Sequence, residues 1–361
     1  MLRQVSDPRK ARGVRHSLAG VLTLALCAVL AGARSFVAIA EWAADAGEEI
    51  LTDAGARRGA PSESTFRRIL QRLDGDDLDQ RLGQWAQARV AGSAGRLRGV
   101  AVDGKAVRGS ATPARTARML MAAFDHTQGL VLGQVEIGVK TNEIPLFSTL
   151  LDTVDLTGAV VTADALHAQR DHAEYLVARR GAHYLLTVKA NQPSLFAQLA
   201  ALPWPQIPLA DRTRERGHGR EETRQLKATA LAGPGRELLF PHAAQALQII
   251  RRRRPLNADK KWSAETVYAI TSLTARDASG TDLAELARGH WSIEDRLHWV
   301  RDVSYDEDRS QIRTGSGPRT MASLRNLAIS AVRLTGVTNI AASIRHQARR
   351  PDRPLQVIKS L

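Results

Sequence analysis

The sequence predicts an α/β protein. A mixed sheet flanked by helices forms the core, an all-helical region precedes it, and a basic, strand-rich insertion interrupts it. Three observations carry this reading. Apolar residues recur at helical spacing through residues 1 to about 90. β-branched runs then alternate with amphipathic segments up to about residue 189. Between about 190 and 280, proline-rich and arginine-rich strand-like segments break that alternation before helices resume.

The first region contains four expected helices. "SLAGVLTLALCAVLAGA" gives one and "SFVAIAEWAADA" a second, with Ser35 as its N-cap. "PSESTFRRILQRL" gives a third, capped by Ser62 or Ser64, with Phe66, Ile69, Leu70 and Leu73 as its apolar stripe. "DDLDQRLGQWAQARV" gives the fourth. The basic start and apolar middle of residues 9–35 resemble a signal peptide. The apolar stretch from Leu18 to Ala33 is shorter than the roughly 20 residues of a spanning helix. It reads as a buried helix of a soluble, cytoplasmic protein with no membrane partner, its apolar face set on Phe66, Ile69 and Leu70. The small residues 91–99 read as a linker. The boundaries expected are therefore 1–90 for a helical, DNA-binding domain and 91–361 for the core with its insertion.

In the core, "LRGVAVDG", "RMLMAAFD" and "LVLGQVEIGV" read as strands in close succession, the last two joined at Gln128-Gly129. "NEIPLFSTLLDTV" (helix), "AVVTADA" (strand), "AQRDHAEYLVARRG" (helix ending at Gly181) and "AHYLLTVK" (strand) follow. That order is the order of a ribonuclease-H-like core. In the insertion, "QALQIIRRRR" and "ETVYAITSL" are strand-like, while "DRTRERGHGREETRQLK" reads only as charged. "DLAELARGHWSIEDRLHWVRDVSYDED" and "RTMASLRNLAISAVRL" return to helical pattern.

The charge is unusual. Lys and Arg number 51 against 37 Asp and Glu, a net +14, which favours polyanions, nucleic acid first and a membrane surface second. Residues 205–261 hold 13 basic and 6 acidic residues, half of that excess. Cys27 is the sole cysteine, which excludes an intrachain disulfide framework or a cysteine zinc cluster.

Against this background, residues 282–308 carry 8 acidic and 3 basic residues. Two strands also run into an acid, Asp103 in "GVAVDG" and Asp164 in "VVTADA", at the sheet edge where α/β sites are built. A single such aspartate is most often a turn former; two, with Glu294 as a third acid, suggest a site. His290, Glu294 and His298 are spaced by four on one expected helix face, with Arg301 close to it, and Ile293, Leu297 and Val300 form the apolar face. Three carboxylates on a rigid core can hold two hard cations about 3.5–4 Å apart. The stretch 302–308 reads by itself as a solvated acidic loop.

"VAVDGKAVRGS", "VVTADALHAQR", "YLLTVKANQPSL" and "RGHWSIEDRLHWVRDVSYDED" resemble the blocks of the ISAs-type DDE transposases, the group that includes the H-repeat-associated proteins. The helical start resembles the domain placed before that core, so the resemblance covers nearly the whole chain. It implies a ribonuclease-H-like fold and a catalytic, metal-binding triad of Asp103, Asp164 and Glu294. Two Mg2+ ions are implied, with Mn2+ as a substitute. Related transposases of the wider group carry Tyr, Arg and Lys around the glutamate, where this chain has Ala287, His290 and Arg301.

The implied function is DNA transposition by a bacterial insertion-sequence transposase. It would bind the terminal repeats of its element, hydrolyse a phosphodiester at each end and join the 3′-hydroxyl to double-stranded target DNA, as a homodimer assembled on DNA. Candidate DNA contacts are Lys105 and Arg108 beside Asp103, Lys189 after its strand, Arg251, Arg252, Arg253 and Arg254 in the insertion, and His298 and Arg301. Asn191 and Gln192 are either phosphate contacts or a plain turn. Two rivals stand: a domesticated DNA-binding protein without catalysis, and a structure-selective nuclease on the same core, which cuts without joining.

Overall fold

The computed structural model describes residues 1–361 except 11, 13, 91–96, 139–142, 218, 233–237, 257–261 and 361. The helices, in chain order, begin with α1 (Leu18–Leu30), α2 (Phe36–Asp45), α3 (Glu48–Asp53), α4 (Glu63–Leu70), α5 (Gly75–Gln87) and α6 (Glu143–Leu151). They continue with α7 (Arg170–Glu174), α8 (Pro193–Ala200), α9 (Gly280–His290), α10 (Gly317–Leu334), α11 (Ile340–Gln347) and α12 (Asp352–Lys359). The strands are β1 (Gly99–Val107), β2 (Arg118–Asp125), β3 (Val131–Ile137), β4 (Val160–Ala163) and β5 (His183–Val188), then β6 (Leu209–Gly217), β7 (Arg220–Ala230), β8 (Gln245–Pro255) and β9 (Ser263–Thr271).

The chain forms two compact units. One comprises Met1–Gly92, Asp103–Asp155 and Ser292–Leu361; the other comprises Ser93–Val102 and Leu156–Trp291. The first unit joins the N-terminal helices to the C-terminal ones. Ser17 caps α1, its side chain accepting from the Gly20 N–H at 3.1 Å, and Ser35 caps α2 in the same way through Ala38. All but two residues of α1 are buried, against α2, α4, α10 and α12. The helical start is therefore not a separate body, because α1 is apolar on every side and needs α10 to cover it. Phe66, Ile69 and Leu70 of α4 are buried as their spacing predicts. Among the described residues, no helix is long and apolar enough to cross a membrane.

In the same unit β2 and β3 form the expected hairpin, and Gly129 supplies the positive φ (72°) that its turn requires. β2 is hydrogen-bonded to β1, which does not stop at Asp103 but runs on to Val107. Asp103 is thus within the strand and not at its end, and Gly104 and Lys105 are strand residues.

In the second unit the strand order is β1-β4-β5-β9-β8-β7-β6. β1, β4 and β5 are parallel and the remaining pairs antiparallel, so the sheet is mixed, with α9 covering β4, β6 and β7. All four residues of β4 are buried, the mark of a central parallel strand. Leu185, Leu226, Leu247, Ala269, Leu283 and Leu286 are part of the core between sheet and helix. The charged stretch 211–227 proves to be most of the β6–β7 hairpin. Its strand character was hidden because β6 is exposed along its length and carries no apolar alternation.

Candidate active site

Asp103 sits midway along β1 in the first unit, four-fifths buried. Glu294 opens the segment that follows residue 292, and here the sequence reading needs correction. The α-helical pattern does not continue: α9 ends at His290, and Glu294–His298 and Val300–Ser304 are π-helical turns. Wide turns of this kind recur at functional sites. Ile293, Leu297 and Val300 are buried as expected, but His298 is buried with them at 4% exposure.

His298 is the hub. Its Nδ1 lies 3.4 Å from Asp103 Oδ2 and 3.5 Å from Glu294 Oε2. Ligand atoms of the three residues all fall within 4.8 Å of one another. Burial raises the Asp103 pKa, and His298 only partly offsets this. The hydrogen bond from His298 holds Glu294 down at about 2, against the opposing effect of burial. Burial alone would lower His298, but its bonds to Asp103 and Glu294 outweigh that and raise it. The remaining ring nitrogen, Nε2, is buried with no hydrogen-bond partner. Two carboxylates side by side fit a hard divalent cation such as Mg2+, with His298 holding them in place.

A further acid, which the sequence reading missed, packs on β1 one residue along. A Cβ at position 104 would strike the Glu143 carboxylate, so Gly104 lets that acid approach β1, on the face opposite to the Asp103 side chain. The signal available was the glycine directly after the aspartate.

The acidic stretch 302–308 is not a solvated loop. Glu307 is fully buried, accepting from Arg301 Nη2 at 2.7 Å and Nε at 3.0 Å, and from Arg325 Nη1 at 2.9 Å. Arg301 is 1% exposed and spent on this pair, so it offers nothing to DNA. Lys105 is buried as well, with Nζ 2.6 Å from Asp302 Oδ2. Arg108 differs: its side chain is 75% exposed and only loosely tied to Asp308 at 3.3 Å.

Asp164 lies in the second unit, directly after β4. Its carboxylate accepts from the Leu166 N–H at 2.9 Å, capping the next turn. It also lines a cavity of about 430 Å3, together with Lys189, Arg251, Arg253, His290 and Trp291. Lys189 and two of the four arginines named from sequence thus meet Asp164, and the exposed Trp291 was not foreseen. Glu222 holds Arg251 through two bonds of 2.7 and 3.0 Å and also pairs with Arg224 and Arg253. Arg254 binds Glu221 at 2.7 Å and stacks on Trp262 at 4.9 Å. Arg252 is exposed and has no ion pair among the described residues. Asn191 donates to the Ala165 carbonyl at 2.6 Å, which makes it a turn residue.

The register within the second unit is informative. Val102 pairs with Ala163 across parallel strands, and the next residue along the chain is Asp103 in one case and Asp164 in the other.

The family model described as "Transposase DDE domain" matches residues 94–331, and the one described as "DDE_Tnp_1-associated" matches residues 1–86. The chain belongs to the DDE transposase family. The transposase is 30% identical over 338 residues to "Putative transposase YncI" of Escherichia coli O157:H7, covering 91% of this chain and 85% of that protein. It is 28% identical over 356 residues to "H repeat-associated putative transposase YhhI" of Escherichia coli strain K12, covering 96% and 92%. Among solved structures, a piggyBac transposase synaptic complex with hairpin DNA matches at TM-score 0.44 and 10% identity, over 94% of this chain and 73% of that one.

Proposed function

We propose that this transposase cuts a phosphodiester at each end of its mobile element and joins the freed 3′-hydroxyl to double-stranded target DNA. Asp103, Asp164 and Glu294 are its metal-binding acids. One observation carries the reading. Asp103 and Glu294, 191 residues apart, meet at a buried histidine. The register Val102↔Ala163 supports Asp164 as the third acid.

Two divalent ions held by these carboxylates would supply the charge that the attacking and leaving oxygens need. The residues of the chain then have separable tasks. Asp103, held on the rigid strand β1 against His298, would supply one carboxylate ligand to a cation. Glu294 is ionised throughout the working pH range. His298 aligns the two carboxylates and is not a surface DNA contact, since it is buried. Lys189, Arg251 and Arg253 supply positive charge around Asp164, which suits a phosphodiester strand. Arg252 and Arg108 are exposed and suit backbone phosphates.

The deciding experiment follows cutting and strand transfer separately, on DNA carrying the element's ends with Mg2+ or Mn2+. Wild-type protein should do both. Asp164→Asn should do neither while still binding DNA, because the change removes a ligand charge and relieves repulsion toward phosphate. Cutting by this variant at near wild-type rate would defeat the triad. Cutting by wild type with no joining would make the protein a nuclease.

A further inference from the structure

A second strongly basic feature lies far from these acids in sequence, in the first unit. A cleft of about 670 Å3 is lined by Lys10, Arg12, Arg15, Arg58, Arg68 and Arg72. All six side chains belong to exposed residues, and none makes an ion pair among the described residues. No carboxylate lines the cleft. This is unlike the insertion, where Glu221 and Glu222 each hold several arginines. Like charges gathered without counter-charge repel one another, and a polyanion relieves that repulsion.

Three further features make the cleft a built site. His16 lines it, is 93% buried, and its Nδ1 has no hydrogen-bond partner. Burial first, and then the nearby Arg15, Arg9 and Arg58, push its pKa down. Arg9 fastens this segment, donating to the His16 carbonyl at 2.9 Å while paired with Asp7 at 2.7 Å. Ser62 and Thr65 also line the cleft at the start of α4, and the Ser62 hydroxyl lies 3.0 Å from that of Thr65 and does not cap the helix. The N–H groups of the first turn of α4 therefore lack a side-chain acceptor, the arrangement that favours an anion.

We propose that this cleft seats the phosphodiester backbone of duplex DNA, as a footprint separate from the arginine-rich strand β8. The proposal rests on the DNA reading above and goes further by assigning the contact to particular residues. Cations, hydroxyls and uncapped N–H groups, without Asn or Gln to pair with base edges, define a site that positions DNA and does not read its sequence.

The test uses the full chain and a short mixed-sequence DNA duplex, titrated at several salt concentrations. Arg15→Ala/Arg72→Ala should weaken binding to this duplex and to an unrelated one by the same factor. It should make the slope of log K against log salt shallower by about 1.8, at about 0.9 per lost phosphate contact. The thermal midpoint should not move, since neither side chain has a partner to lose. Arg276→Ala, an exposed arginine elsewhere, controls for net charge and should leave the slope unchanged. Wild-type affinity and slope in the double variant would overturn the cleft while leaving the DNA reading intact. Failure of wild-type protein to bind either duplex would overturn both. Unchanged DNA titration with lost retention on phosphatidylserine vesicles would assign the cleft to a membrane surface and overturn it too.

Discussion

Two arginine–glutamate clusters in this protein have the same chemistry and opposite consequences. In one, Glu307 lies between Arg301 and Arg325, and all three are 1% exposed or less. In the other, Glu222 is ringed by Arg220, Arg224, Arg251 and Arg253, whose side chains are 23–48% exposed. The first cluster has nearly balanced charge and no access to solvent, so it can only organise the π-helical segment that carries Glu294. The second leaves positive charge over at the surface, and its glutamate serves to aim arginines outward. Burial, not residue type, separates structural ions from binding ions here.

The largest effect expected contrasts two glutamates of one acidic stretch. Glu294→Gln should reduce metal-dependent cleavage to background and leave the thermal midpoint nearly unchanged, since Glu294 is about half exposed. Glu307→Gln should do the reverse. Leaving two buried guanidiniums short of a counter-charge costs about 3–5 kcal/mol, read by urea unfolding. If Glu307→Gln proved as stable as wild type, the buried cluster would be no keystone.

The pH dependence sharpens the same point. Burial alone would raise Glu307, but Arg301 and Arg325 hold it at about 2, below its unfolded value. A depressed carboxylate contributes its stability above the unfolded pKa, near ~4.3, and loses it as pH falls toward the folded one. Wild-type protein should therefore lose about 3 kcal/mol from this group between about pH 5 and 2. Acid titration of Glu307→Gln should show a correspondingly flatter slope.

Smaller effects are expected in the exposed cluster. Glu222→Gln should tighten DNA binding by freeing its arginines, and should cost less stability than Glu307→Gln because those arginines stay partly solvated. Arg252→Ala should be smallest of all. It should flatten the salt slope by about 0.9 and change stability by less than about 0.5 kcal/mol. A larger loss of stability in Arg252→Ala than in Glu222→Gln would reverse the assignment of the exposed cluster.

Most of the architecture was legible in the sequence because its signals are local. Ser17 and Ser35 sit before apolar runs and cap them; Gly129 marks a turn that only positive φ closes; β-branched runs mark buried parallel strands. The β6–β7 hairpin was not legible, since an exposed strand bearing alternating charges lacks the apolar period. Asp103, Asp164 and Glu294 were chosen from apparent strand ends and local charge, although β1 runs on past Asp103, and the surroundings of Lys105, His298 and Arg301 were not legible. Each was read as facing outward. Lys105 and His298 are instead buried against partners distant in sequence, Asp302 and Asp103, and Arg301 is buried against Glu307, six residues on, where the α pattern has given way to π turns. Helical spacing cannot foresee either event.

The cover that α10 gives α1 has a consequence for synthesis. α1, apolar but for Thr23, leaves the ribosome well before α10, which follows about 300 residues later. At about 5–20 residues per second, that is roughly 15–60 s during which one of the stickiest surfaces of the chain has no native cover. A chain interrupted before Gly317 would keep that surface exposed permanently. Fragments lacking α10 are therefore expected to aggregate or occupy chaperones even when Asp103, Asp164 and Glu294 are all present, so the C-terminal helices decide whether a newborn chain can bury α1 at all.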